Sequence, residues 1–284
     1  YVGAEGTLGV IADVTLRLHG VPEATSAATC SFATARGAVA SVIEAVQCGL
    51  PLARAEYLDS AAITAVNFAF KTDYPEGETL FLEFHGAPED VTRQAERFGA
   101  IASENGGSAF RWALESEARS QLWKARHNAG FAAAAMRPGA RPWSTDVCVP
   151  ISSLAACIEV TKADLAYAPF PTVILGHIGD GNFHVILLLD PNSAEEMDAA
   201  ARFNDALVAR AIAMDGTCTG EHGIGLGKRE SLRAELGDAV SLMLDIKRAL
   251  DPSGLMNPEK IFVSAPARPA CLRPTLTPNA GTPP

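Results

Sequence analysis

Long apolar runs are missing from this sequence. No uninterrupted apolar stretch reaches the roughly 18–20 residues needed to span a bilayer. The run from Phe131 to Met136 is short, and Arg137 and Pro138 end it. Positive charge is also scarce: 23 Lys and Arg stand against 33 Asp and Glu, for a net charge of −10. That balance excludes a broad electrostatic footprint for nucleic acid. No Cys-x-x-Cys pair occurs among the six cysteines, Cys30, Cys48, Cys148, Cys157, Cys218 and Cys271. Widely spaced in a chain of 284 residues, they need no disulfide framework and read as reduced thiols. There is no internal repeat, and the chain opens on Tyr1, inside a motif, so it reads as a piece of a longer protein. What is present is ordinary globular composition, 48% hydrophobic and 20% charged, enough to bury a real core.

Val14, Leu16 and Leu18 alternate with Thr15, Arg17 and His19, which predicts a strand with one buried face. Gly20 to Glu23 breaks the pattern, so residues 1–22 read as a terminal strand remnant and 23–263 as the main domain. Further strands are expected at 28–33, 52–58, 79–85, 108–113, 143–149, 172–177 and 184–189. Helices are expected at 37–47, 60–68, 89–104, 117–136, 152–165, 194–214 and 238–250. Ser193 with Glu196 predicts a capping box, and Asp251-Pro252-Ser253-Gly254 a helix stop. Alternating elements permit a parallel doubly wound sheet or antiparallel ferredoxin-like units. Residues 264–284 carry six prolines and read as a disordered tail.

Three segments carry chemistry. In Gly176-His177-Ile178-Gly179-Asp180-Gly181-Asn182-Phe183-His184, apolar runs flank an Asp-Gly hairpin signal. A turn centred on Asp180-Gly181 pairs His177 with His184 across the hairpin, so both imidazoles share a face and can grip one metal ion. The bland alternative is two unrelated histidines beside a turn. The hairpin favours the antiparallel choice of fold. In the second segment, Gly216 to Arg229, five glycines in the twelve residues 216–227 surround Glu221-His222. That pair offers a carboxylate ligand beside a titratable base, or is simply solvated, while Cys218 reads as an inert buried thiol. A His₂Glu set leaves open positions, serving either water activation in hydrolysis or Lewis-acid contact with a substrate oxygen. The third segment, Tyr1 to Ile11, holds Gly3, Gly6 and Gly9 and wraps a cofactor phosphate or merely turns.

Gly3 to Ile11 with the Thr15-Leu16-Arg17-Leu18 strand resembles the end of the FAD-binding domain of the FAD-linked oxidases of the vanillyl-alcohol-oxidase type. Gly176 to His184, Gly220 to Lys228, and Leu250 to Pro258 resemble that family's C-terminal signatures in the same order. Within it, Trp123 to Asn128 and Ser144 to Pro150 look most like the cytochrome-linked D-lactate dehydrogenases. The resemblance implies an α+β cap domain: an antiparallel sheet flanked by helices, plus a helical C-terminal segment.

It also implies site roles. His177, His184 and Glu221 would bind zinc or manganese. Arg126 would clamp the substrate carboxylate, Asn182 would touch substrate, and His222 would be the general base. Gly3, Glu5, Gly6, Thr7, Gly9, Val10, Ile11 and Asn257 would approach FAD. Ser144 stands where the D-2-hydroxyglutarate branch carries a lysine, which favours a substrate with one carboxylate. Cytochrome c or a quinone is the implied electron acceptor. The implied compartment is mitochondrial in a eukaryote, and cytoplasmic or peripheral to the inner membrane in a bacterium. The family's upstream pyrophosphate loop has no counterpart here, so a missing FAD-domain segment or partner must complete the flavin site. The competing expectations are a D-2-hydroxyglutarate or glycolate dehydrogenase subunit, a non-catalytic metal- or hydroxy-acid-binding module, and a metallohydrolase, the last disfavoured by Gly3 to Ile11.

Overall fold

Strand β1 (Ala24–Phe32) is buried along its last seven residues, as befits the middle of a sheet covered on both faces. In the computed structural model, which describes residues 1–263, the chain divides into two compact units. One is Val14–Gly223; the other is Tyr1–Asp13 with the described residues from Ile224 on. The expected tail at 264–284 lies outside the described residues. No helix among the described residues is long and apolar enough to cross a membrane.

In the larger unit β1 is followed by α1 (Ala35–Gln47), β2 (Leu52–Leu58), α2 (Ser60–Phe70), β3 (Glu78–Gly86), α3 (Pro88–Glu104) and β4 (Gly107–Ala113). These strands lie side by side as β4-β1-β3-β2, all antiparallel. That is the order of a ferredoxin-like split βαβ unit. The chain continues through α4 (Ser116–His127), α5 (Ala129–Ala135), β5 (Arg141–Ser144), β6 (Val147–Cys148), α6 (Ile151–Leu165), β7 (Thr172–His177), β8 (Asn182–Leu189) and α7 (Ala194–Ala213). Strand β7 adds to β2, β8 to β7, and both β5 and β6 to β8, completing an eight-stranded antiparallel sheet. The α+β cap-domain expectation is met.

Side-chain alternation distributes the core. Ala27, Leu58, Phe81, Val173 and Leu175 meet Ile63 and Val66 of α2, Trp123 of α4, and the alanines of α5. Phe84, of opposite parity to Phe81, packs on Phe98 of α3, their ring centroids 6.2 Å apart. Each fully buried Val, Leu, Ile or Phe among them contributes about 1.5–3 kcal/mol. Helix starts follow the side-chain oxygens that precede them: Thr34 caps α1 and Asp59 caps α2.

The smaller unit is held by turns. The Glu5 carboxylate accepts from the N–H groups of Ile224 at 2.6 Å and Gly225 at 2.9 Å. Helices α8 (Arg229–Leu236) and α9 (Ala239–Leu250) follow, and Asp251 stops the second by accepting from Leu255 and Met256 N–H. Helix α8 has no counterpart in the sequence expectations; at eight residues it is too short for a clear apolar period.

Several expectations are corrected. Residues 14–19 form no strand: none of the described strands pairs with them, and Val14, Leu16 and Leu18 are exposed. The helix expected at 117–136 breaks at Asn128, whose side-chain amide donates to Lys124 O at 2.8 Å and ends α4. The strand expected at 143–149 splits into β5 and β6. There the Thr145 hydroxyl accepts from Val185 N–H at 2.9 Å, taking a ladder position and turning Asp146 out of the strand. Only half of the capping box forms: Ser193 accepts from Glu196 N–H, whereas the Glu196 carboxylate is taken by Arg137 and Asp190 N–H. In the hairpin, His177 pairs with Asn182 and Leu175 with His184, two residues away from the expected register. The reason is a four-residue loop, 178–181, in which Asp180 N–H returns to His177 O at 2.9 Å and Gly181 takes φ +77°.

The cap residue of α2 generates a pH prediction. Burial drives the Asp59 carboxyl from 3.8 up to about 6, outweighing the N–H groups of Ala62 and Ile174. The folded state therefore holds a proton that the unfolded state releases, and stability falls as pH rises from about 4 to 6. The ionised carboxylate costs on the order of 3 kcal/mol above that window. Asp59→Asn keeps the cap acceptor and should abolish this component, read as denaturation midpoints at pH 4 and pH 7; an unchanged pH slope in the variant would refute the assignment.

Candidate functional site

A slip of two residues in an antiparallel register leaves every side chain on its own face, because the side-chain period is two. His177 and His184 therefore still converge, now as diagonal neighbours with ring centroids 5.8 Å apart. Each ring has one nitrogen committed. His177 Nδ1 lies 2.9 Å from Glu56 Oε1, and His184 Nδ1 lies 3.1 Å from the Thr145 carbonyl. Those acceptors require Nδ1–H on both rings. The two Nε2 atoms then face the same carboxylate oxygen, Glu221 Oε1, at 3.1 Å from His177 and 3.0 Å from His184.

Neutral imidazoles with Nδ1–H carry lone pairs on Nε2, so three acceptors meet at one point. Such an arrangement calls for a cation, a proton or a metal ion. Burial lowers the pKa of His184, which disfavours a proton there. For His177 the hydrogen bond with Glu56 raises it against the opposing effect of burial. Zinc-type donor chemistry fits this set, and the ligand atoms all lie within 4.8 Å of one another.

His222 is placed alongside, its ring stacked on His184 at 4.7 Å with planes 7° apart. Its Nε2 is 4.0 Å from Glu221 Oε1. Asn182, buried, turns its Nδ2 to Asp146 Oδ1 and the Val147 carbonyl, leaving Oδ1 without a partner among the described residues. Arg126, 8% exposed, joins through Glu56: its Nη2 is 2.6 Å from Glu56 Oε2. Its Nε, also buried, has no acceptor among the described residues, and neither has the buried indole N–H of Trp123, one helical turn earlier.

Thus His177, His184, Glu221 and His222 come together directly, Asn182 joins them through Asp146, and Arg126 joins through Glu56. Sequence reasoning missed Glu56 and Asp146. Glu56 sits in β2, far away along the chain, and looks like any polar residue of an alternating strand. Burial acts to raise its pKa, but the His177 hydrogen bond and the Arg126 charge together bring it below the usual carboxylate range. Asp146 lay within a quoted motif, but no rule of spacing ties it to Glu221.

The expected FAD-contacting residues all lie in the smaller unit. Asn257 donates to the Glu5 carbonyl at 2.6 Å, and the Thr7 hydroxyl to Ala4 O at 2.7 Å. The Glu5 carboxylate is engaged by backbone N–H groups, so its evident work is to fold this unit. Gly3 has open space where a Cβ would stand, and Val10 and Ile11 are exposed.

Fold and sequence agree with a known class. The description "FAD linked oxidases, C-terminal domain" matches residues 21–261, and the chain belongs to this family. It is 51% identical over 263 residues to the probable mitochondrial D-lactate dehydrogenase of Danio rerio, covering 92% of this chain and 53% of that one. With the mitochondrial D-lactate dehydrogenase (cytochrome) of Arabidopsis thaliana it shares 42% over 262 residues, 92% of this chain and 46% of the other. The chain therefore spans about half the length of these relatives. Among solved structures, the 4-ethylphenol oxidase of Gulosibacter chungangensis superposes with a TM-score of 0.65 at 17% identity, covering 87% of this chain and 55% of that one.

Glu56 bridges Arg126, which is buried, and His177, which is half-buried. Glu56→Ala should cost about 3 kcal/mol by stranding the Arg126 charge, read as a lower urea midpoint. A loss below 1 kcal/mol would mean that the bridge is solvent-screened.

Proposed function

We propose that this chain is the substrate- and metal-binding part of a flavin-dependent D-2-hydroxy-acid dehydrogenase, oxidising D-lactate or a close monocarboxylic relative to the 2-oxo acid. The observation that carries the reading is the convergence of two imidazole Nε2 atoms on one Glu221 oxygen, with a third imidazole stacked beside them. The names of the Danio and Arabidopsis relatives supply the substrate class and, for the latter, a cytochrome as acceptor. They also favour a mitochondrial setting if the source is eukaryotic.

Arg126 binds the substrate carboxylate through its guanidinium group, fixing the direction of the C2 hydroxyl. His222 takes the hydroxyl proton at Nε2. Glu56 keeps both Arg126 and His177 in place. When bound, FAD would supply the acceptor for the C2 hydride, and zinc or manganese held by His177, His184 and Glu221 would supply positive charge for the hydroxyl oxygen as its proton leaves. Ser144 donates to its neighbour's carbonyl and offers no cation to a second carboxylate, which favours lactate over 2-hydroxyglutarate. Gly3, Gly6, Gly9, Val10, Ile11 and Asn257 would form an edge of the flavin site, completed by sequence beyond this chain or by a partner.

Metal analysis of the purified chain should find one divalent ion, removed by EDTA. His184→Ala should lose it, and retained affinity in that variant would mean that the ligand set is wrong. By calorimetry, D-lactate should bind only to the metal-loaded chain. Arg126→Ala should weaken that binding about 10- to 100-fold while leaving metal content unchanged; equal D-lactate affinity would remove Arg126 from the carboxylate role.

A further inference from the structure

The loop that delivers Glu221 and His222 has no apolar anchor of its own at the point where it matters: Gly220, Glu221 and His222 are all exposed. Their positions are nevertheless well defined, because a buried carboxylate lies underneath. Asp146 is 1% exposed. Its Oδ2 accepts from the Thr219 hydroxyl at 2.6 Å and from three successive backbone N–H groups: Gly220 at 2.8 Å, Glu221 at 3.1 Å and His222 at 3.0 Å. Its Oδ1 accepts from Asn182 Nδ2 at 2.9 Å and stands 3.5 Å from His184 Nδ1. Consecutive N–H groups curled around one oxygen make an anion nest. Here the anion is a side chain of the same protein.

We infer that Asp146 is the positioning residue of the site, a single carboxylate that sets Glu221, His222 and Asn182 against the β7–β8 hairpin. This rests on the metal-site reading above and adds to it the element that assembles the ligands. The surroundings are shaped for the contact. The side-chain bond from Thr145 that splits β5 from β6 turns Asp146 toward the loop. Gly220 must lack a side chain, since a Cβ there would stand 1.9 Å from Asn182 Nδ2 and 3.0 Å from Asp146 Oδ1. Burying this charge is tolerable because donors surround both oxygens. The same feature makes the site sensitive to one atom. In Asp146→Asn the volume is kept, but the new NH₂ faces N–H donors in either orientation, the loop amides on one side and the Asn182 amide on the other.

The test uses the intact chain and Co²⁺ as the probe, with visible absorption reporting both affinity and coordination. Amide hydrogen exchange of residues 220–222 is followed in the metal-free chain. Wild type should protect these exposed amides. Asp146→Asn should lose that protection while β7 and β8 keep theirs, bind Co²⁺ about 10- to 100-fold more weakly, and alter the absorption band. Wild-type affinity and spectrum in Asp146→Asn would overturn the proposal, as would unprotected amides at 220–222 in wild type. If wild type binds no Co²⁺, the metal reading fails, and exchange alone still decides on Asp146. Should Asp146→Asn not fold, Thr219→Val removes one donor from Oδ2 and is expected to accelerate exchange at 220–222 and weaken Co²⁺ several-fold; no change in either would count against the assignment.

Discussion

Two neutral imidazoles that each spend Nδ1–H on a protein acceptor present lone pairs at Nε2, and here both Nε2 atoms face one carboxylate oxygen. That convergence constrains the elements around it. It explains why β7 and β8 must be antiparallel neighbours, since a parallel crossover would not bring residues 177 and 184 together. It explains why buried or half-buried acceptors, Glu56 and the Thr145 carbonyl, stand behind the rings. It also explains why the glycine-rich loop must return to the hairpin, because the third donor comes from there.

The same constraint links substrate recognition to metal binding. Glu56 uses one oxygen on His177 and the other on Arg126, so the residue assigned to the carboxylate and a residue assigned to the metal share a support. A movement of β2 would therefore disturb both at once. Asp146 plays the matching part on the opposite side, tying the loop to Asn182. Between them, the Glu56 and Asp146 carboxylates hold the arrangement.

Much of the fold could be read from local pattern. Strand β2 and strand β7 have the expected limits, because β2 alternates apolar with polar residues and β7 opens on a short apolar run. Three of the misreadings share a cause: polar or charged side chains competing for expected partners. Asn128 ended a helix whose apolar period continued past it. The Thr145 hydroxyl replaced a ladder bond inside an expected strand, and Arg137 drew Glu196 away from its cap. Residues 14–19 have a strand's pattern without a strand's neighbour. Periodicity records which face is apolar, not whether a partner exists.

For the site, His177, His184, Glu221 and His222 were legible because glycines and a turn signal surround them within short segments, and the period-two rule kept both histidines on one face even though the register was wrong. Glu56, 121 residues from His177, and Asp146, 75 residues from Glu221, were not legible as parts of it. The sequence by itself determined the donor types, the hairpin and the family. Only the tertiary structure decided which carboxylates stand behind the ligands. A hydrogen bond is made at about 3 Å by whatever the sheet brings there, and separation along the chain carries no information about that distance.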